Sequence, residues 1–296
     1  MSSEQGGEGG GGRSARLAAV LRSRMADGTY ALGSKLPAQR ELADEFGVSR
    51  DTVQRALGEL QNEGWIASRQ GSGSTVLKDQ RIDSPAVGKW PDRKVTLGRL
   101  IGQAFQQSEV TLDVFTLTAE SLDSHIRYQG ELIQAGEIRP ESVALRVLLP
   151  TESVELPYWR SDDPHEDVLL KDRFVGIMRR STETLRSVMS QLKTSKLVPS
   201  VHFEIRRVKL APTFKLYLVN NEEALHGFYE IVIRPIELEG GRQITTADVE
   251  GVAARLTHHV KDPQSQGAVF LDGMQKWFNS AWEGLGIPEK KSGGIP

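Results

Sequence analysis

The chain has 296 residues, 38% of them hydrophobic and 26% charged, with a net charge of −2. At roughly 150 residues per domain this argues for two domains with apolar cores and excludes a wholly disordered polymer. There is no cysteine, which excludes disulfides, thiolate metal sites and a cysteine nucleophile. No apolar run reaches the roughly 18 residues that cross a bilayer. The Gly-rich start lacks the basic and apolar segments of a secretory signal. A cytoplasmic protein without a membrane partner is therefore expected.

The charge is uneven along the chain. Residues 1–12 read as a disordered tail carrying Glu4 and Glu8. Residues 13–78 hold ten Lys/Arg against seven Asp/Glu, and residues 79–296 hold 27 against 30. A basic head on a mildly acidic body fits nucleic-acid binding by the head.

The predicted elements begin at Arg13. Leu17, Val20, Leu21 and Met25 follow helical spacing up to Gly28. Pro37 opens a second helix that should bury Leu42, Ala43 and Phe46, with Gly47 as its left-handed stop. Ser49 caps a third, in which Val53, Leu57 and Leu60 face inward and Gly64 terminates. Residues 65–69 and 75–77 read as two short strands around the tip Gln70-Gly71-Ser72-Gly73. Residues 79–93, with Pro85, Gly88 and Pro91, read as a linker.

A second domain is expected over 94–288, followed by a disordered tail at 289–296. Helices are predicted at about 95–107, 119–135, 169–196 and 267–284. Strands are predicted at 110–117, 142–149, 201–208, 214–220 and 224–234. Strands alternating with helices imply an α/β fold.

Three helices and a hairpin over 13–77 are the parts of a winged helix-turn-helix, an α+β domain. Its third helix would enter the major groove, with Arg50, Thr52 and Gln54 at the exposed N-terminal end. Ser49 and the helix N-terminus favour a phosphate oxygen. Arg69 and Gln70 on the Gly-rich hairpin would contact a minor groove. Any three-helix bundle shares this apolar spacing, so the pattern alone also fits a protein that binds nothing.

The wording of the segment carries more. LGSKLPAQRELADEFGVSRDTVQRALGELQNEGWIASRQGSGSTVL resembles the DNA-binding domain of GntR-family bacterial transcription regulators. The blocks stand in family order: Leu36-Pro37, Arg40-Glu41-Leu42-Ala43, Phe46-Gly47-Val48-Ser49-Arg50 and Gly64-Trp65-Ile66. The resemblance implies that Arg40 contacts the DNA backbone or a base. It implies that Ser49, Arg50, Asp51, Thr52 and Gln54 read the operator, and that Gln70 and Gly71 form the wing tip. Asp51 and Gln54 depart from the commonest family wording, Thr and Arg, so relatives' operators are not expected to transfer. Arg55 reads equally well as a helix-surface residue.

Behind such a head, the resemblance implies an effector-binding and dimerisation domain, for which an α/β chorismate-lyase-like type has a similar length. Here residues 201–229 also resemble the core of phospholipase D-like domains, with the motif H-x-K-x4-D. Thr213 stands in the His place, Lys215 keeps the Lys and Asn220 takes the Asp place. Thr213 cannot replace an imidazole nucleophile, and none of the six histidines lies in an H-x-K arrangement. No catalytic residue is therefore expected, while Thr213, Lys215 and Asn220 remain a candidate ligand site.

The pair His258-His259 near Asp248 and Glu250 is not expected to bind metal, because adjacent helical residues diverge by about 100°. The acidic run 162–167 reads as a solvated loop. Trp277, Phe278 and Trp282 read as core, with a dimer interface as the functional alternative. The resulting expectation is a transcription regulator, a repressor rather than an activator, acting at the nucleoid. It would bind a palindromic double-stranded operator as a homodimer and respond to a small ligand, with no cofactor. The rivals are an effector-independent architectural or plasmid-maintenance protein and a DNA-targeted phosphodiesterase.

Overall fold

The computed structural model describes residues 10–26, 28–62, 65–69, 73–77, 82–83, 96–161, 163–238, 242–249, 251, 254–262 and 266–289. The chain divides into two compact units, Met1–Gln80 and Arg81–Pro296.

In the first unit, α1 (Gly10–Ala26), α2 (Gln39–Phe46) and α3 (Arg50–Asn62) precede a hairpin of β1 (Ile66–Arg69) and β2 (Gly73–Val76). Residues 10–12, expected in the tail, already belong to α1. Leu17 and Leu21 of α1, Leu42 of α2, and Val53 and Leu60 of α3 close over Trp65 and Val76, all buried. Gly47, at φ 60°, ends α2 in the left-handed region that a side chain would disfavour. Phe46 is only half-buried, because the Arg24 guanidinium rather than apolar core covers its ring, at 4.8 Å. Arg24 also pairs with Glu45 at 2.5 Å, and the buried Arg22 pairs with Glu59 at 2.7 Å. These bonds tie α1 to α2 and to α3. Residues 33–36 run beside β2, where Leu36 N donates to Ser74 O and Val76 N to Ser34 O.

The second unit is an α/β domain. Its first strand, β3 (Ile82–Asp83), lies inside the stretch expected as a linker. It is followed by α4 (Leu97–Phe105), β4 (Glu109–Phe115), α5 (Glu120–Gln134), β5 (Ser142–Pro150) and α6 (Pro164–Thr194). Then come β6 (Ser200–Val208), β7 (Phe214–Val219), β8 (Glu223–Phe228), β9 (Ile231–Glu237), β10 (Gln243–Val249), β11 (Leu256–Val260), α7 (Gln266–Gly284) and β12 (Ile287–Pro288). Eight strands form one mixed sheet in the order β12-β6-β5-β4-β7-β8-β11-β3, and β9 and β10 form a separate hairpin.

Strands β4, β5 and β6 run parallel, while β7 pairs antiparallel with β4. Both faces of the sheet are covered, which is why β5 reads Ser-Val-Ala-Leu-Arg-Val-Leu-Leu-Pro with little polar alternation. Helices α4, α5 and α6 pack on one face through residues such as Leu100, Ile101, Leu122 and Met178. Helix α7 packs on the other through Leu271, Phe278 and Trp282 against Phe115, Leu148, Leu216 and Leu218.

Three expectations change here. Residues 224–234 are not one strand: β8 belongs to the large sheet, and the chain leaves it at residues 229–230 for the β9–β10 hairpin. Helix α6 begins at Pro164, inside the supposed acidic loop, because Asp163 caps it by accepting from His165 N at 2.9 Å. Residues 258 and 259 lie on a strand rather than a helix.

Candidate functional site

Helix α3 follows α2 after a three-residue turn, Gly47 to Ser49. The Ser49 hydroxyl accepts from Thr52 N at 3.2 Å and lies 2.9 Å from the Thr52 hydroxyl. Both hydroxyls are thereby engaged in capping α3. Thr52, expected at the exposed end, is only 8% exposed. It precedes Val53 and stands one turn before Ala56, on the helix face that packs into the core. It therefore cannot reach a base edge.

Arg50 and Gln54, one turn apart, are exposed, as is Ser49 itself. Asp51 pairs with Arg55 at 2.6 Å across the next turn, with both side chains more than half exposed. The Asp51 charge beside prospective phosphates is thus offset by its own helix. Arg40 projects from α2 with a side chain 77% exposed, 4.0 Å from Asp44. Arg69 ends β1, while its side chain and residues Gln70 and Gly71 lie outside the described residues.

In the second unit, the three candidate ligand residues do not converge. Thr213 is exposed, and its carbonyl accepts from Tyr229 N at 3.0 Å. Lys215 is 3% exposed, its Nζ 5.6 Å from the centre of the Tyr229 ring. Asn220 sits past the other end of β7, at φ 50° in the turn to β8. Its Oδ1 accepts from Thr111 N at 2.8 Å, and its N–H donates to Thr111 O at 2.8 Å. It is a turn residue whose polar groups are used by β4.

Around Lys215 stand residues that the sequence did not single out. Leu117 N donates to the Tyr229 hydroxyl at 2.8 Å, and the Thr116 hydroxyl lies 3.1 Å from it. Tyr217, 1% exposed, points the same way as Lys215. Its hydroxyl lies by Ser121 and Thr116 yet closes no hydrogen bond of good geometry with either. Burial pushes both tyrosines above the ordinary phenol range. A buried lysine on a strand is visible in sequence, but its companions come from segments a hundred residues apart with no shared spacing.

The histidine pair is a strand pair, pointing to opposite faces. His258, 2% exposed, lies 2.6 Å through Nε2 from Glu223 Oε2. His259 stacks on Phe270 at 3.8 Å, and burial holds its pKa below the ordinary value. Asp248 is engaged elsewhere, by Arg234 and by Trp159 Nε1 at 2.5 Å, and Glu250 is outside the described residues. No group of three His, Asp or Glu among the described residues is placed to hold a metal ion. In the acidic run, Asp167 accepts from Ser161 N and Glu166 pairs with Arg242, both at 2.6 Å. No helix among the described residues is long and apolar enough to cross a membrane.

Comparison with known proteins finds relatives of the first unit. Residues 13–76 match the family described as bacterial regulatory proteins, gntR family. Over 65 residues the chain is 46% identical to the Exu regulon transcriptional regulator of Escherichia coli (strain K12), covering 22% of this chain and 25% of that protein. It is 36% identical over 76 residues to the arabinose metabolism transcriptional repressor of Geobacillus stearothermophilus, covering 25% and 21%. The crystal structure of the AraR DNA-binding domain in complex with operator ORX1 aligns at 30% identity and a TM-score of 0.23, over 26% of this chain and 92% of that one. The chain spans about a quarter of the length of the curated relatives it matches. These relatives lend no support to a phospholipase D-like second unit.

Proposed function

We propose, from the premise that residues 13–76 are a GntR-type winged helix-turn-helix DNA-binding domain, that the whole protein is a ligand-responsive transcriptional repressor. The observation that carries this reading is the N-terminal end of α3. There Arg50 and Gln54 stand free of the core on one helix face, while Ser49 and Thr52 hold the helix start in place. Arg pairs with guanine O6 and N7 in the major groove, and Gln with adenine N6 and N7. Arg40 adds a phosphate contact from α2.

In this reading two copies bind an inverted repeat whose half-sites lie about one helical turn apart, because two-fold protein symmetry is mirrored in the operator. The α/β unit supplies dimerisation and the ligand site, and ligand binding alters the spacing of the two heads. The protein acts in the cytoplasm, on the nucleoid, and performs no catalysis. The relatives named as regulators of sugar-acid or arabinose genes support the regulatory role without supplying this protein's ligand.

The test is selection from a randomised duplex pool at physiological salt. Enrichment of an inverted repeat is expected, and retention without enrichment would reduce the interaction to phosphate contacts. On the selected site, Arg50→Ala should weaken binding by about 1–3 kcal/mol with relaxed preference at one base pair. An unchanged affinity would remove Arg50 from the interface.

A further inference from the structure

The strand order singles out one place in the α/β unit. From β4 the chain steps outward to β5 and β6, then returns to the other side of β4 for β7 and β8. The C-terminal end of β4 is therefore the point where the direction of winding reverses. In open α/β sheets such a point, outside the carboxyl ends of the parallel strands, is where ligands settle. Phe115 of β4 pairs with Leu216 of β7, so one step further along the antiparallel register Lys215 lies beside Thr116.

What is gathered there is unusual for a core. The Lys215 side chain is buried on the central strand β7. Tyr217, two residues on, brings a buried hydroxyl without a well-formed hydrogen bond. Helix α5 begins directly after β4, and its N-cap is Ala119, held at φ 63° and without a capping side chain. Ala119 offers no acceptor of its own, and the Thr118 hydroxyl before it accepts from Glu120 N at 3.4 Å. Glu120, in its first turn, buries Oε1 without a partner. A buried polar atom without a partner is costly, and the Tyr217 hydroxyl and Glu120 Oε1 are two such atoms on β7 and at the start of α5.

We propose that this cluster is the ligand site of the α/β unit and that it takes a small anion, a carboxylate or phosphate group, beside Lys215 and the Tyr217 hydroxyl. The group sits at the N-terminus of α5, and Glu120 accepts a hydrogen bond from a donor elsewhere on the same ligand. A cleft of about 200 Å³ lies between residues 154–160 and the first turns of α6. Tyr158 lines that cleft, and its hydroxyl donates to Pro212 O at 3.2 Å, just ahead of the segment leading into Lys215. Arg160 and Lys171 line the same cleft together with Glu155 and Asp167, so its charges balance. The inference rests on the reading of the α/β unit as a ligand sensor.

The experiment is thermal unfolding of the full chain, titrated separately with inorganic phosphate and with acetate, ionic strength held constant with chloride. A saturable rise in Tm with one of the two is expected, and the one that acts identifies the anionic group. Lys215→Met should weaken that response about tenfold or abolish it. Tyr217→Phe should weaken it several-fold while leaving the unliganded Tm unchanged, so the result does not hang on one variant's folding. Arg50→Ala should respond like the unaltered protein.

No saturable response to either anion, or an undiminished one in both cluster variants, would overturn the proposal. So would a response lost in Arg50→Ala, which would place the anion on the DNA-binding head. If the duplex pool still yields an inverted repeat when the anions fail, only the site falls. If both fail, the regulatory reading falls with it.

Discussion

The two faces of the eight-stranded sheet are built on different terms. Under α7 a set of polar groups is joined in one hydrogen-bonded network. Arg146 makes a two-pronged bond to Asp113 at 2.6 and 2.5 Å and reaches Asn279, while Gln275 donates to the same carboxylate. The Arg146 guanidinium also lies over the rings of Phe278 and Trp282. Under α5 and α6, Glu120, Gln129 and Tyr217 each bury a polar atom without a hydrogen bond. A closed polar network stiffens a core, whereas an open one costs stability unless something completes it. The first face is accordingly a stabilising face, and the second is where a ligand has something to add.

The largest expected effect tests the first half of that contrast. Phe278 is fully buried, stacked on Trp282 at 5.7 Å and packed among residues of β4, β5 and β7. Phe278→Ala should cost about 3–5 kcal/mol, through lost transfer energy and the cavity left behind. Denaturant unfolding measures it. A loss under about 1 kcal/mol, the size of an ordinary substitution, would mean that α7 is loosely docked and that the contrast between the faces is false.

The next effect lies on the other face. His125 is buried in α5 against α4, and its ring lies 2.8 Å from where a Cβ on Gly98 would stand. Burial lowers its pKa from 6.5 to about 4. The folded state therefore keeps the ring neutral while the unfolded chain takes up a proton. Below pH 6.5 the unfolded state binds more protons, so stability falls with pH until the folded-state value near 4 is passed. The shift corresponds to a loss of about 3 kcal/mol across that window. In His125→Gln the dependence should flatten between pH 6.5 and 4. An equally steep profile would assign the acid sensitivity to other groups.

How far these features could be read in the sequence depended on whether they were local. Leu17, Leu21 and Met25, the stop at Gly47 and the cap at Ser49 are all set within a few residues of one another, and the helices of the head follow directly. Thr52 shows the limit: sequence position places it beside Arg50, but the helix turns it inward toward Ala56. In the second unit, residues 224–234 hold no proline, and Tyr229-Glu230 carry no turn signal of their own, so nothing local marks the step from the large sheet to the hairpin. His258 and His259 carry no periodicity of their own, and their strand is fixed by pairing with Leu225 and Ala224 on β8. The cluster was least legible. Lys215 alone is conspicuous as a charge on an apolar strand, while Thr116 joins it through the register of β4 with β7, Tyr229 through that of β7 with β8, and Ser121 from α5.

Two hydroxyls in that cluster give the smallest and sharpest test. The Tyr229 hydroxyl has Leu117 N at 2.8 Å and Thr116 at 3.1 Å, so Tyr229→Phe strands a buried backbone N–H and should cost about 1–2 kcal/mol. The Tyr217 hydroxyl, equally buried but without a good partner, contributes nothing of that kind in the unliganded protein. Tyr217→Phe removes a polar atom that is already unsatisfied, and should fall within about 0.5 kcal/mol of the unaltered protein. Unfolding of the two variants side by side, without added anion, cancels the ring they share and leaves only the hydroxyls. Equal losses would mean that Tyr217 is already satisfied within the fold, and the α5 face would then be as closed as the face beneath α7.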